Sequence, residues 1–323
     1  MNSNRTLCLI LLGITISGFI LLEAPNIYQA ETFPDYTDNV KPFLDNCSID
    51  HFPIKRDGLK WYSICISDKI FGTPRLVPLM FSTAIIPLVY LFISELTQKR
   101  ILGLLGSLIL VSSGAFNIFA STSTYPPIDV FFFVMFLYLC LKGKVYAPLF
   151  YVLAILSKPL PIVYFPLVLY FVYSLNIPKE KKKTILVFLT VIVIIGISLV
   201  IFNEFSKEKL PLISIGGSIR FDQTQFMEGF YEWFELLDSD IIVAVTVVIV
   251  LIQLFKLSKN QVYLSKPIFF FILGMILTVP IIQGFTDQLN HSYRFIPLVI
   301  MVSSGIGICL SNWLEKYERV TLN

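Results

Sequence analysis

The stretch Leu76 to Leu96, LVPLMFSTAIIPLVYLFISEL, carries a single charge, Glu95, in twenty-one residues. A helix crossing roughly 30 Å of hydrocarbon needs about 20 apolar residues at about 1.5 Å each, and this stretch supplies them. Upstream the chain reads differently. Glu23 to Arg75 is a polar, acid-rich loop with Asp35, Asp38, Asp45, Asp50, Asp57 and Asp68 set among Trp, Tyr, Phe and Pro. Connections between neighbouring elements usually take a few residues, so a loop this long marks a functional region. Carboxylates at a membrane surface suit chemistry on a lipid-borne substrate.

Working outward, the rest of the 323 residues is mostly apolar: 55% hydrophobic and 15% charged, with a mean hydropathy of +0.76. Soluble domains carry roughly 25% charge. The expectation is an all-α, polytopic membrane protein forming one integral-membrane domain over residues 1–323. Ten candidate spans, some short or re-entrant, run Thr6 to Leu22, Leu76 to Leu96, Ile101 to Ala120, Ile128 to Leu141, Val145 to Leu156, Leu160 to Leu175, Ile185 to Phe205, Ile241 to Phe255, Pro267 to Phe285 and Phe295 to Leu314. Within Ile128 to Leu175, two of the three spans are too short to cross upright. Short, Pro-interrupted segments of this kind line binding sites in some membrane proteins.

Lys and Arg in short loops gather on the cytoplasmic side. An inside N-terminus places Arg5, Lys99, Arg100, Lys142, Lys144, Lys179 to Lys183, Lys256, Lys259, Lys266, Lys316 and Arg319 there, with both termini cytoplasmic in a multi-pass plasma-membrane protein. Residues 23–75 and 206–240 then become the first and second extracytoplasmic loops. Within the second, Phe226, Phe230, Trp233, Phe234 and Leu237 recur at helical spacing among acids, an amphipathic interfacial helix. The opening segment is read as an uncleaved span, since Tyr28-Gln29-Ala30 lacks the small-x-small pattern of a cleavage site. Cys8, Cys140 and Cys309 fall in spans as small apolar filler, while Cys47 and Cys65 share the outer loop, bridged or not.

Nucleotide-binding and metalloprotease signatures are missing: there is no P-loop, GxGxxG, CxxC pair or HExxH. His51 and His291 are the only two histidines, which disfavours a His-rich metal site. Short cytoplasmic loops leave no soluble domain for a nucleotide, and no nucleic acid is expected as partner. Substrate must come from the membrane or the outer face.

Four segments occur in an order that resembles the GT-C glycosyltransferase superfamily. Lys69-Ile70-Phe71-Gly72-Thr73-Pro74-Arg75-Leu76 leads into a span and the basic turn Gln98-Lys99-Arg100. Ser121 to Asp129, STSTYPPID, precedes an aromatic-rich span. Leu156-Ser157-Lys158-Pro159 and Tyr293-Arg294-Phe295-Ile296-Pro297 follow. Each is weak alone; their order and spacing over Leu22 to Leu314 carry the likeness, which is nearest to small polyprenyl-phosphate sugar transferases related to protein mannosyltransferases and lipid A aminoarabinose transferase. The resemblance implies an inverting enzyme at the outer face with a polyprenyl- or dolichyl-phosphate sugar as donor and a lipid, glycan or protein as acceptor. No cofactor is implied with certainty, and a divalent metal is left open. Where the family carries an Asp-Glu pair early in the first loop, this chain has Asp35-Tyr36, with Asp38-Asn39 three residues on.

The residues can be weighed on their own chemistry. Such a transfer needs a base for the acceptor hydroxyl, which makes Asp35 the first candidate and Asp38 the second. An Asx-turn with Thr37 is the ordinary role for Asp35. Asp129, after Pro126-Pro127, either faces the cavity as a further acid or simply complements a helix N-terminus. A phosphate leaving group calls for cations at the membrane boundary, and Arg75, Lys158 and Arg294 each stand where a loop meets a span. Snorkelling at headgroup level is their ordinary role. Lys55 and Lys60 are further phosphate partners on this view, or else part of a solvated loop face. Two other functions fit the same pattern: a transporter or flippase, and a catalytically inactive GT-C-like subunit.

Overall fold

The computed structural model describes residues 2–33, 35–50, 57–205, 221–238, 241–285 and 292–321. Among them there are fifteen α-helices and no strand. The helices are α1 (Asn2–Glu23), α2 (Lys41–Asn46), α3 (Gly58–Phe71), α4 (Leu76–Thr97), α5 (Arg100–Val111), α6 (Gly114–Phe119), α7 (Ile128–Leu141), α8 (Ala147–Ser157), α9 (Leu160–Val163), α10 (Phe165–Ser174), α11 (Lys179–Phe205), α12 (Gln223–Asp238), α13 (Ile241–Lys259), α14 (Ser265–Phe285) and α15 (Phe295–Thr321).

Three segments among the described residues are helical, long and apolar enough to cross a membrane: Arg5–Tyr28, Leu76–Thr97 and Phe295–Glu318. They carry the mark of a membrane protein, including outward-facing Leu7, Ile10, Ile14 and Leu21 on α1, side chains that lipid would cover. Helix α4 lies at the centre, packed against α1, α3, α5, α7 and α15. Its Ile85, Ile86, Val89, Phe92 and Ile93 are fully buried. The seam with α5 is close because α5 presents glycines: a Cβ at Gly103 would stand 2.0 Å from Ser94 Oγ and 2.4 Å from the Tyr90 carbonyl. Ser107 donates across the same seam to the Ile86 carbonyl at 2.9 Å. Small residues at such contacts let backbones approach, the packing available where lipid removes the hydrophobic drive.

Two expected spans are broken. Ile101 to Ala120 divides into α5 and α6 because Ser113 takes an extended conformation before Gly114. Asn117 folds back to donate to the Val111 carbonyl at 2.9 Å, satisfying a group the helix end leaves open. Leu160 to Leu175 divides at Tyr164 into α9 and α10, each with Pro in its first turn. Pro supplies no amide N–H and turns the preceding residue away from helix. Helices α7, α8 and α10, of 14, 11 and 10 residues, reach at most about 21 Å.

The first long loop is itself folded. Val40, Leu44 and Ile64 form a small core with Tyr36, Phe43 and Trp61, stapled by the Cys47–Cys65 disulfide. Hydrogen bonds brace it internally, Thr73 Oγ1 donating to the Ile27 carbonyl at 2.9 Å and Lys69 Nζ to the Leu44 carbonyl at 3.1 Å, while α3 packs against α4 and α8. In the second, α12 packs on α14, with Asp222 N–H donating to the Gly284 carbonyl at 2.8 Å and Phe221, Phe226 and Phe230 in contact in sequence. Residues 206–220 and 239–240 of the expected loop, and the side chains of Trp233, Phe234 and Leu237, lie outside the described residues.

Candidate functional site

The C-terminus of α1, the N-termini of α4 and α7, the C-terminus of α8 and the turn before α15 come together at one end of the helices. The turn between α6 and α7, Ser121 to Tyr125, is the floor of this region. It is held by a residue the sequence reading passed over, Glu31, whose Oε2 accepts the Ser123 N–H at 2.9 Å and whose Oε1 accepts the Thr124 N–H at 2.9 Å. The Ser123 hydroxyl donates to the same carboxylate. Glu23, buried at the end of α1, accepts from Asn26 Nδ2 at 3.0 Å and from the Ser121 hydroxyl at 3.4 Å.

Arg75 belongs to this scaffold. Its Nε donates to the Ser121 carbonyl and its Nη1 to the Gln29 carbonyl, both at 2.7 Å, so much of its fork clamps the two backbones together. Asp35 is placed differently. It precedes the π-type turn Tyr36–Val40, and its side chain makes no cap there, so the expected Asx-turn role is not the one it plays. Instead its Oδ2 accepts the hydroxyl proton of Tyr125. Asp38, in the same turn, is exposed to solvent and is not brought into the group.

Tyr125 then links the acid to the cations. Its ring stacks on Tyr293, centroids 4.6 Å apart and planes at 21°, with Phe119 edge-on to both. Lys158 Nζ lies 3.2 Å from the Tyr293 ring centroid and 5.3 Å from that of Tyr125. Lys158 reaches this position because α8 ends at it in an extended conformation, ahead of Pro159. Arg294 Nε donates to the Tyr293 oxygen at 3.3 Å, while its Nη1 is buried without a hydrogen-bond partner. From α3, Lys60 Nζ stands 4.6 Å from the Trp61 ring centroid and 5.9 Å from that of Tyr125.

Asp129, 7% exposed in the first turn of α7, lies within electrostatic reach of Lys158 and Asp57. Both of its anticipated roles are therefore compatible with its position. Of the six candidates, Asp35, Asp129, Lys158 and Arg294 are brought together, Arg75 supports them and Asp38 stands apart. Lys60 joins the group; His51, Lys55 and His291 lie outside the described residues. Tyr125 and Tyr293 stood inside the sequence segments that carried the family likeness, but nothing in their spacing signalled that the rings would stack.

The electrostatics follow from the geometry. Burial, then the bond to Asp35, pushes the Tyr125 phenol well above its ordinary range. For Tyr293 burial acts the same way, yet Lys158 and Arg294 outweigh it and hold the phenol below its ordinary value. Lys60 is brought down to about 8, first by burial and then by the charge of Lys158, against the opposing pull of Asp57, Asp35 and Glu31. No carboxylate oxygen of the described residues lies within 4.0 Å of Lys60, Lys158 or Arg294. Nor do the described residues place three or more His, Cys, Asp or Glu where they could hold a metal ion. The arrangement can hold an anion against aromatic faces while a carboxylate stands one tyrosine away. No family model, curated protein or solved structure matches the chain.

Proposed function

We propose that this chain is a GT-C-type membrane glycosyltransferase, of the hexosyltransferase kind, moving a sugar from a polyprenyl- or dolichyl-phosphate donor to a lipid, glycan or protein acceptor at the outer face of the plasma membrane. The supporting observation is the Asp35–Tyr125–Tyr293 chain, which links a carboxylate not used for capping, through two tyrosines, to two cations that have no carboxylate partner among the described residues. In the proposed reaction Asp35 takes the acceptor hydroxyl proton as that oxygen bonds to the anomeric carbon. The bond from that carbon to the phosphate oxygen breaks, its electron pair leaving with the polyprenyl phosphate, and the configuration inverts. Lys158 and Arg294 stabilise the charge growing on the phosphate. Tyr125 orients the carboxylate through its hydroxyl.

The reading carries the topology with it: about ten spans, both termini cytoplasmic and residues 23–75 outside. The basic-residue asymmetry supports it, and so does the Cys47–Cys65 bridge, because disulfides persist in oxidising compartments. Asp38→Cys, at an exposed position, should react with an impermeant thiol reagent on intact cells; reaction only after the membrane is opened would reverse the orientation. For the activity, membranes are incubated with a panel of radiolabelled polyprenyl-phosphate sugars, wild type beside Asp35→Asn. Transfer by the wild type alone is the expected result. Binding without turnover in both would indicate an inactive subunit, and lipid movement across the bilayer without transfer a flippase.

A further inference from the structure

Five buried side-chain polar atoms of the described residues have no hydrogen-bond partner, and three of them belong to the residues around the Tyr125–Tyr293 stack: Arg294 Nη1, Thr124 Oγ1 and Asp57 Oδ1. Buried polar groups are almost always bonded, so an unmet one calls for a reason. The three differ in what they lack. Arg294 can only donate, an ionised carboxylate can only accept, and a threonine hydroxyl does either. A ligand that satisfies all three accepts at one end and donates at the other.

Asp57 is the informative member. It occupies the N-cap position of α3, where an aspartate ordinarily bonds the free amides of the first turn, yet it makes no such bond. Its backbone is left-handed, with φ at 59°, as are those of Gln98, Gln261 and Leu264 in turns elsewhere, a conformation that costs energy for any residue with a side chain though less for aspartate than for most. Neither peculiarity serves the helix. Together they bury a carboxylate oxygen, one turn before Lys60 and within electrostatic reach of both Lys60 and Asp129. Thr124 is fully buried, one residue before the tyrosine that bonds Asp35.

We infer that Asp57, with Thr124, forms a hydroxyl-binding subsite for the sugar ring of a glycosyl phosphate whose phosphate is held by Arg294. The inference rests on the proposed transferase reading and adds to it a specificity-determining residue distinct from the base. Asp57 positions the ring and takes no proton in the reaction.

The test uses the full chain in detergent and follows thermal stabilisation of wild type, Asp57→Gly and Asp57→Asn by free polyprenyl phosphate and by a panel of its hexosyl and aminohexosyl esters. Glycine and asparagine both accept the left-handed backbone, so both variants should fold. At least one ester should bind the wild type tenfold or more tightly than free polyprenyl phosphate, and Asp57→Gly should lose that surplus while binding the free lipid phosphate unchanged. Asp57→Asn, which keeps an acceptor without the charge, should fall between them. Without ligand, Asp57→Gly should melt no lower than wild type. A surplus that survives in Asp57→Gly, a wild type that binds no ester better than the free lipid, or a ligand-free Asp57→Gly that melts clearly lower would each overturn the subsite. If free polyprenyl phosphate and every ester fail to bind the wild type, the transferase reading itself fails.

Discussion

Two groups of cations at opposite ends of α4 and α7 are partnered in opposite ways. At the end where α4 and α7 terminate, Lys142 pairs with Glu95 and Lys99 lies 3.5 Å from Glu318, so each of these two lysines has a carboxylate of its own. At the other end Lys60, Lys158 and Arg294 converge on two tyrosine rings, and the carboxylate of Asp35 is bonded to Tyr125 instead. Paired charges at an exposed surface settle the fold locally and ask for nothing more. Cations over aromatic faces gain a fraction of what an anion would give, and partly buried they leave a standing demand for one. On the proposed reading, the two paired lysines serve stability and the three converging cations serve binding.

The most severe way to break that division is at the acid. Removing a general base typically costs about 10² to 10⁴ in rate, so Asp35→Asn should abolish detectable transfer while expression and donor binding stay near wild type. Full turnover in Asp35→Asn with loss in Asp38→Asn would move the base to the solvent-exposed carboxylate and disconnect it from Tyr125.

Next come the cations. Charge-assisted hydrogen bonds contribute about 1.5 to 3 kcal/mol, so Lys158→Ala should weaken polyprenyl phosphate binding by roughly ten- to a hundred-fold. Arg294→Lys should also be impaired, since a point charge cannot replace the buried, unpartnered arm of the fork. The control ligand is neutral polyprenol: equal losses for both lipids would mean that these residues hold the fold together.

How far this end could be read in the chain depends on the physics of each residue. Helical class, the membrane-grade spans at 76–96 and 295–314, and the candidacy of Asp35, Lys158 and Arg294 were legible because hydropathy and charge act locally. The break at Ser113 was less visible, since five apolar residues follow it and only the Ser-Ser-Gly run hints at a turn. Glu31 and Asp57 could not be told from the other loop acids. What sets them apart is contact across 92 residues in one case and a left-handed backbone in the other. The Tyr125–Tyr293 stack is equally non-local, and no periodicity encodes it.

Lys60 sharpens the comparison through pH. Its folded value of about 8 lies below the ordinary 10.5 because burial and Lys158 disfavour its charge. The unfolded chain therefore binds the extra proton between those values, and ligand-free stability should rise with pH from about 8 to 10.5. Anion binding needs the protonated form, so polyprenyl phosphate affinity should be full below about pH 8 and fall above it, by at most about tenfold per unit. The groups facing Lys60 are Trp61, Tyr125, Asp57, Asp35, Glu31 and Lys158, and comparison with Lys60→Met isolates its own share. Identical pH profiles for the two proteins would remove Lys60 from the site.

The smallest effect is expected at the paired end, and its smallness is what the comparison requires. Lys142 is held above its ordinary value chiefly by the hydrogen bond to Glu95, so the pair stabilises the fold below that ordinary value and is lost as pH climbs through the raised one. Both side chains are partly exposed, 39% and 29%, and solvent screens such pairs to about 0.2 to 1 kcal/mol. Glu95→Gln should therefore lower the melting temperature slightly, and high salt should erase most of the difference. Transfer and polyprenyl phosphate binding should not change, because neither Glu95 nor Lys142 shares an element end with the tyrosine stack. A fall in affinity comparable to that of Lys158→Ala would mean the two ends are coupled through α4 and α7, and the division of labour between them would have to be abandoned.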